Sequence, residues 1–147
     1  MLYIDDSPDD LFLFQKACEQ AGVAFRLELL GSGKEALDYF QGVGRYSDRS
    51  MFPLPNLVLL DLNMPLHDGF WFLRWLRDRP ELNRVVVCLF TSSFQFEDIK
   101  TTYTLGADCF LTKPAAFAHL VNIAAALDQF LASAQLQLLK ELPEFRQ

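Results

Sequence analysis

Five polar side chains stand at the ends of short apolar runs, and their types suit the chemistry of a metal-bound phosphoryl group. Asp5 and Asp6 are adjacent, Asp61 follows four apolar residues, and Thr91 and Lys113 close two later runs. Carboxylate oxygens, joined by a backbone carbonyl from the following loop, suit a hard octahedral ion such as Mg²⁺. A hydroxyl and an ammonium can donate hydrogen bonds to phosphoryl oxygens. The residue types therefore predict a magnesium site that handles phosphoryl groups, provided that the fold brings them together.

Electrostatics also favours a cation at such a site. Two unit charges about 4 Å apart repel by ~1 kcal/mol in water and by ~4 kcal/mol at an effective dielectric constant of about 20. Three carboxylates in one pocket therefore require either a protonated member or a bound cation.

Apolar runs alternate with stretches of helical periodicity along the whole chain, which predicts five strand–helix units. The helices are expected after Ser7-Pro8, after Gly31-Ser32-Gly33, from Gly69 to about Arg79, over Gln95–Leu105 and over Ala115–Ser133. The strands are expected at Leu2–Ile4, Phe25–Leu30, Leu57–Leu60, Val85–Phe90 and Cys109–Leu111. Strands that are apolar on both sides must be covered on both faces, so the pattern indicates one doubly wound α/β domain with a parallel sheet. Ligands of such sheets bind beyond the carboxyl ends of the strands, where the five polar residues lie.

Composition excludes several classes of protein. A chain of 147 residues with 51 % apolar residues forms one sizeable domain. Thirteen basic against nineteen acidic residues give a net charge of −6, which disfavours direct DNA binding. No run of about eighteen apolar residues predicts membrane insertion, and no signal peptide is visible. Three widely spaced cysteines, Cys18, Cys88 and Cys109, are typical of a reducing cytoplasm.

The motifs resemble, in their order and spacing, the receiver domain of bacterial two-component response regulators, the CheY-like family. The resemblance covers the chain to about Ser133. It is carried by Asp5-Asp6, Asp61 within Leu-Asp-Leu-Asn-Met-Pro, Asp68-Gly69, Thr91-Ser92 and Lys113-Pro114. It implies a flavodoxin-like five-stranded sheet of order 2-1-3-4-5 with helices on both faces.

The resemblance also implies roles for the acidic residues. Asp61 corresponds to the phospho-acceptor, which attacks the phosphoryl group on a phosphohistidine of a histidine kinase. Asp6 corresponds to a direct Mg²⁺ ligand, and Asp5 acts on the metal through water. Asn63 gives its backbone carbonyl to the same ion.

Three further positions match the family's switch. Lys113 corresponds to the lysine that pairs with the acyl phosphate, and Thr91 to the threonine that moves to hydrogen-bond it. Phe110 stands at the aromatic position whose rotamer is coupled to Thr91, here without a tyrosine hydroxyl. The peptide bond between Lys113 and Pro114 is expected to be cis, an isomer that proline makes accessible.

Within that family, the chain is similar to stand-alone receivers that work with bacteriophytochrome-type kinases. Two less specific features carry this similarity: the long polar loop Gly42–Pro55 and an end soon after the last helix. The loop is long enough to be functional or mobile. Residues 1–133 are expected to form the receiver domain and residues 134–147 a helical extension or tail without a separate output domain. The apolar tail packs either on a second subunit, giving a homodimer, or on its own domain. The signal is then passed to a downstream protein target.

Two other functions are consistent with parts of the pattern. A Mg²⁺-dependent phosphohydrolase would use a similar sheet, but such enzymes usually carry a second aspartate two residues after the nucleophile, where Asn63 stands. A docking module that works without phosphorylation would not need the complete set of site residues. The sequence favours the hypothesis of a phospho-accepting signalling protein rather than a turnover enzyme.

Overall fold

The computed structural model of the protein describes residues 1–92 and 95–147. Within these residues five parallel strands form one sheet in the order β2-β1-β3-β4-β5. The strands are β1 (Leu2–Ile4), β2 (Glu28–Leu30), β3 (Leu57–Leu60), β4 (Val86–Thr91) and β5 (Cys109–Thr112). The predicted α/β class and strand order are confirmed.

The helices connect the strands and cover both faces of the sheet. They are α1 (Pro8–Ala21), α2 (Gly33–Gln41), α3 (Gly69–Arg77), α4 (Phe96–Thr104), α5 (Phe117–Ser133) and the short α6 (Gln137–Lys140). Helix α1 begins where Ser7 Oγ accepts a hydrogen bond from the Asp10 amide at 3.3 Å, and Asp68 caps α3 through the Trp71 amide at 2.8 Å. These caps satisfy amides that would otherwise lack a partner.

The central strand divides the core into two layers. Val58 and Leu60 belong to the layer that contains Phe72 of α3, whereas Leu59 belongs to the layer that contains Phe14 of α1. All four residues of β3 are buried, as expected for a strand that is apolar on both sides. The site-bearing ends of the strands are therefore fixed by packing above and below the sheet.

The segment between α2 and β3 is tied to the domain, although its length and composition suggested a functional or mobile loop. The Arg49 guanidinium donates hydrogen bonds to the carbonyls of Tyr39 at 2.6 Å, Phe40 at 2.5 Å and Phe52 at 3.2 Å. The first two carbonyls lie in the last turn of α2, where carbonyls lack the i+4 amide of a continuing helix; the Tyr39 carbonyl also accepts from the Gly42 amide at 3.2 Å. The Tyr46 ring packs on Tyr39, with 4.9 Å between the ring centroids.

The C-terminal tail packs on the edge of β5 of its own domain. Helix α5 ends at Ser133, and Ala134 has a left-handed backbone conformation with φ 58°. Farther along, the Thr112 amide donates to the Glu144 carbonyl and the Arg146 amide donates to the Phe110 carbonyl, both at 2.9 Å. Phe145 forms an antiparallel bridge with Leu111. Residues 144–146 thus pair with β5, rather than continuing α5 as a long helix.

Deletion of residues 144–147 is expected to expose the edge of β5. The free energy of unfolding should fall by about 2 kcal/mol, from two lost backbone hydrogen bonds and the partly buried Phe145 ring. Hydrogen exchange measured by NMR should show faster exchange of the Thr112 amide, because its acceptor is removed. Deletion of the exposed Gln147 alone is the control. Unchanged protection of the Thr112 amide in the longer deletion would contradict the observed pairing.

Candidate functional site

Three carboxylates meet at the carboxyl ends of β1 and β3. One side-chain oxygen from each of Asp5, Asp6 and Asp61 lies within 4.8 Å of the other two. The backbone continues the sheet at both strand ends, because the Asp5 amide donates to the Leu30 carbonyl and the Asp61 amide donates to the Ile4 carbonyl, each at 3.0 Å. Asp5 and Asp61 are buried, whereas Asp6 is exposed. The convergence of these three residues agrees with the sequence-based expectation.

The carboxylate of Asp5 is held by donors from the protein. Its Oδ1 accepts from the Ser7 amide at 2.9 Å. Its Oδ2 accepts from the Tyr3 hydroxyl at 2.7 Å and from the Lys113 ammonium at 2.6 Å. Burial and the nearby Asp5 charge raise the pKa of Tyr3, so the phenol remains a donor. Because both oxygens of Asp5 already have protein donors, this geometry suits contact with a metal through water better than direct ligation.

Lys113 is the cation that balances the cluster. Its Nζ lies 2.6 Å from Asp5 Oδ2, 2.7 Å from Asp10 Oδ2 and 3.7 Å from Asp61 Oδ1. Burial acts to lower the pKa of Lys113, but the hydrogen bonds to Asp10 and Asp5 and the Asp61 charge raise it above its ordinary value. The side chain therefore carries a full charge at neutral pH, directly beside the proposed acceptor.

Asp61 is a buried carboxylate with a raised pKa. Burial is the main cause and raises the pKa to about 6; the Lys113 charge lowers it and the Asp5 charge raises it. Hydrogen bonds from the Thr91 hydroxyl and the backbone amide of Asn63 favour the ionised form of Asp61. At neutral pH Asp61 is thus mainly ionised, which is the form that a nucleophile needs.

The loop after β3 fits closely around Asp61. A Cβ on Gly69 would lie 2.5 Å from the Asp61 carbonyl oxygen, so only glycine allows this approach. Asp68, which precedes it, caps α3 and is not part of the carboxylate cluster. The side-chain amide of Asn63 contacts Thr91, with 3.5 Å between Asn63 Nδ2 and Thr91 Oγ1.

The two residues predicted to form a switch, Thr91 and Phe110, lie in β4 and β5. Thr91 is fully buried, and its carbonyl accepts a hydrogen bond from the Lys113 amide at 2.9 Å. Phe110 is also fully buried and packs in the layer with α3. Its side chain is therefore in the inward position. The peptide bond between Lys113 and Pro114 is trans, so the expectation of a cis bond was wrong.

Asp10 was not predicted as a site residue. It lies in the first turn of α1, where an acidic side chain is already explained by its interaction with the helix dipole. Its spacing of five residues from Asp5 gave no separate signal. Only the path of the Lys113 side chain between the two elements brings Asp10 to the site.

The side chains fit a hard divalent cation. The clustered ligand atoms are carboxylate oxygens of Asp5, Asp6 and Asp61, which a hard divalent cation prefers; the Asn63 carbonyl is a further ligand that the family resemblance implies. Three carboxylates lie within 4.8 Å of one another, and the Lys113 ammonium balances only part of their negative charge. A bound cation would balance the rest. These residues are the ones expected from the sequence to hold Mg²⁺.

Comparison with known proteins assigns the family. The family described as the response regulator receiver domain matches residues 1–125. The chain belongs to this family. Receiver domains act in signalling with histidine kinases and bind a divalent metal at the acidic pocket. Among the helices of residues 1–92 and 95–147, none has the length and apolar character needed to cross a membrane.

Similar receivers include stand-alone response regulators. Response regulator Rcp1 of Synechocystis sp. is 32 % identical over 130 residues, covering 88 % of this chain and 86 % of Rcp1. The crystal structure of the Mn²⁺-bound form of Rcp1 aligns with a TM-score of 0.76 at 31 % identity, over 90 % of this chain and 93 % of Rcp1. The phosphorylated cyanobacterial phytochrome response regulator RcpA aligns with a TM-score of 0.79 at 30 % identity, over 90 % and 94 % of the two chains.

Replacement of Asp61 by asparagine should stabilise this receiver domain at alkaline pH. Because the folded-state pKa of Asp61 is raised from 3.8 to about 6, its favourable contribution is present below about pH 4 and is lost as the pH rises through 6. Asp61→Asn should therefore unfold with a free energy about 1–2 kcal/mol higher at pH 8, after allowance for solvent screening. The difference should shrink at pH 5. Urea unfolding in EDTA measures both, with the exposed Asp9→Asn as control; a pH-independent difference would contradict the assignment.

Proposed function

We propose that this receiver domain is a response regulator in which Asp61 accepts a phosphoryl group from the phosphohistidine of a histidine kinase. One observation carries the proposal: the ionisable Asp61 carboxylate clusters with those of Asp5 and Asp6, lies 3.7 Å from the Lys113 ammonium and is hydrogen-bonded by the Thr91 hydroxyl. This arrangement supplies a nucleophile, a place for a metal and two hydrogen-bond donors.

The chemistry follows from positioning and charge. An oxygen of Asp61 forms a bond to phosphorus while the bond between phosphorus and the histidine nitrogen breaks, and the imidazole leaves with the electron pair. Asp6, Asp61 and the Asn63 carbonyl would hold Mg²⁺, with Asp5 acting through water, and the ion would supply positive charge for the phosphoryl oxygens. Lys113 donates to another phosphoryl oxygen. Such stabilisation of charge accounts for most of the catalysis of phosphoryl transfer.

The switch uses the side chains at the ends of β4 and β5. The Thr91 hydroxyl is hydrogen-bonded to the unmodified Asp61 and would turn to donate to a phosphoryl oxygen after transfer. Phe110, which lies inward in the layer beside α3, would then change its packing. Because the Phe110 carbonyl is paired with the tail, the change reaches the surface formed by β5 and residues 144–146.

The partners follow from the family and its relatives. RcpA, one of the similar proteins, is a phytochrome response regulator, so the kinase partner proposed here is of the phytochrome type. The output is a contact with a downstream protein or a homodimer rather than DNA, since the net charge is −6. Cys18, Cys88 and Cys109 are free and buried, which supports a cytoplasmic protein. The phosphohydrolase alternative is not favoured, and the protein is not a turnover enzyme.

The proposal predicts that acetyl phosphate or phosphoramidate with Mg²⁺ adds one phosphoryl group to the protein. Intact-mass spectrometry should show this addition for the wild type and none for Asp61→Asn, which lacks the nucleophile. EDTA should abolish it. Asp6→Asn should slow it at least tenfold, because a direct metal ligand is lost.

Two variants serve as controls for this experiment. Asp9→Asn removes an exposed charge from the same region, and Asp68→Asn keeps an oxygen that can cap α3. Both should be phosphorylated as the wild type is. A mass increase that persists in Asp61→Asn would overturn the assignment of the acceptor, and steady hydrolysis of unrelated phosphomonoesters would favour the phosphohydrolase.

A further inference from the structure

Lys113 has a second strong partner outside the carboxylate cluster. The ammonium donates to Asp10 Oδ2 at 2.7 Å, almost as close as its 2.6 Å contact with Asp5. Its distance to Asp61 Oδ1 is 3.7 Å, beyond a hydrogen bond. In the unmodified protein Lys113 is therefore bound to two carboxylates that do not accept the phosphoryl group.

The two partners of Lys113 differ in how firmly they are held. Asp5 is fully buried and also accepts hydrogen bonds from Tyr3 and Ser7. The Asp10 side chain is 38 % exposed, and Lys113 is its one side-chain partner among the described residues. Water can replace Lys113 at Asp10 but not at Asp5. Asp10 is thus the partner that Lys113 can leave when a phosphoryl oxygen needs its charge.

We propose that Asp10 is a positioning residue that competes with the phosphoryl group on Asp61 for the Lys113 ammonium. This inference rests on the proposed function, because it takes Asp61 as the acceptor. While Asp61 is unmodified, Asp10 holds the ammonium on the α1 side of the site. After transfer, Lys113 exchanges Asp10 for a phosphoryl oxygen and Asp10 becomes hydrated. The contact favours the unmodified state and so limits the stability of the phosphorylated one.

An adjacent residue provides a matched control. Asp9 lies in the same first turn of α1 and carries the same charge, but it is exposed and has no side-chain partner in the part of the chain that the structure describes. Asp9→Asn and Asp10→Asn therefore change the net charge and the helix-dipole interaction alike. A difference between them reports the contact with Lys113.

The test uses beryllofluoride with Mg²⁺, a non-hydrolysable mimic of an aspartyl phosphate. Its dissociation constant can be followed by the fluorescence of Trp71 and Trp75, which lie on α3. Asp10→Asn should bind three- to thirtyfold more tightly than the wild type, because the competing acceptor is weakened. Asp9→Asn should change the constant less than twofold. Asp10→Glu, which keeps a carboxylate on the same turn, should return the affinity toward that of the wild type, which a purely structural role would not require.

The outcomes separate this inference from the function on which it rests. A wild-type protein that binds no beryllofluoride overturns both. If the wild type binds but Asp10→Asn binds with the same affinity, more weakly, or with only the gain seen for Asp9→Asn, Asp10 does not compete for Lys113 and the proposed function stands. Urea unfolding of each variant verifies that the comparison is made between folded proteins.

Discussion

The Lys113 ammonium binds the carboxylates of Asp5 and Asp10, which lie more than a hundred residues earlier in the chain. Without it, the buried Asp5 and Asp61 would place two negative charges in a medium that stabilises them poorly. Asp5 accepts hydrogen bonds from Lys113, Tyr3 and Ser7, whereas Lys113 Nζ lies 3.7 Å from Asp61 Oδ1. Burial is the main cause of the raised pKa of Asp61. The site therefore keeps one carboxylate short of positive charge, which is the condition that attracts a metal and a phosphoryl group.

The fold provides this arrangement through strands that are apolar on both faces. Leu57–Leu60 is wholly buried, so its register with β1 is fixed by packing on two sides. The first polar residue after each strand must then emerge at the same edge of the sheet. The close fit of Gly69 against Asp61 holds the next loop over the site. Stability of the core and geometry of the site thus depend on the same residues.

The sequence was sufficient to predict the residues that lie at strand ends, because their positions follow from the sheet. Asp5, Asp6, Asp61, Thr91 and Lys113 fall in this group. Asp10 was missed, since its contact depends on the path of a long flexible side chain from another element. The apolar tail was predicted to be a helical extension or tail that packs on a second subunit or on its own domain. The pairing of Phe145 with β5 depends on hydrogen bonds at a sheet edge, which periodicity does not report. The prediction of a cis peptide bond before Pro114 was wrong, because tertiary context decides which isomer forms.

The most direct test of this account is a crystal structure of the protein with Mg²⁺ and beryllofluoride. We expect the adduct on Asp61, with the metal on Asp6, Asp61 and the Asn63 carbonyl. We also expect Lys113 within hydrogen-bond distance of a fluorine atom and separated from Asp10. An adduct on another residue, or a Lys113 ammonium that still bridges Asp5 and Asp10 beside an occupied Asp61, would contradict it.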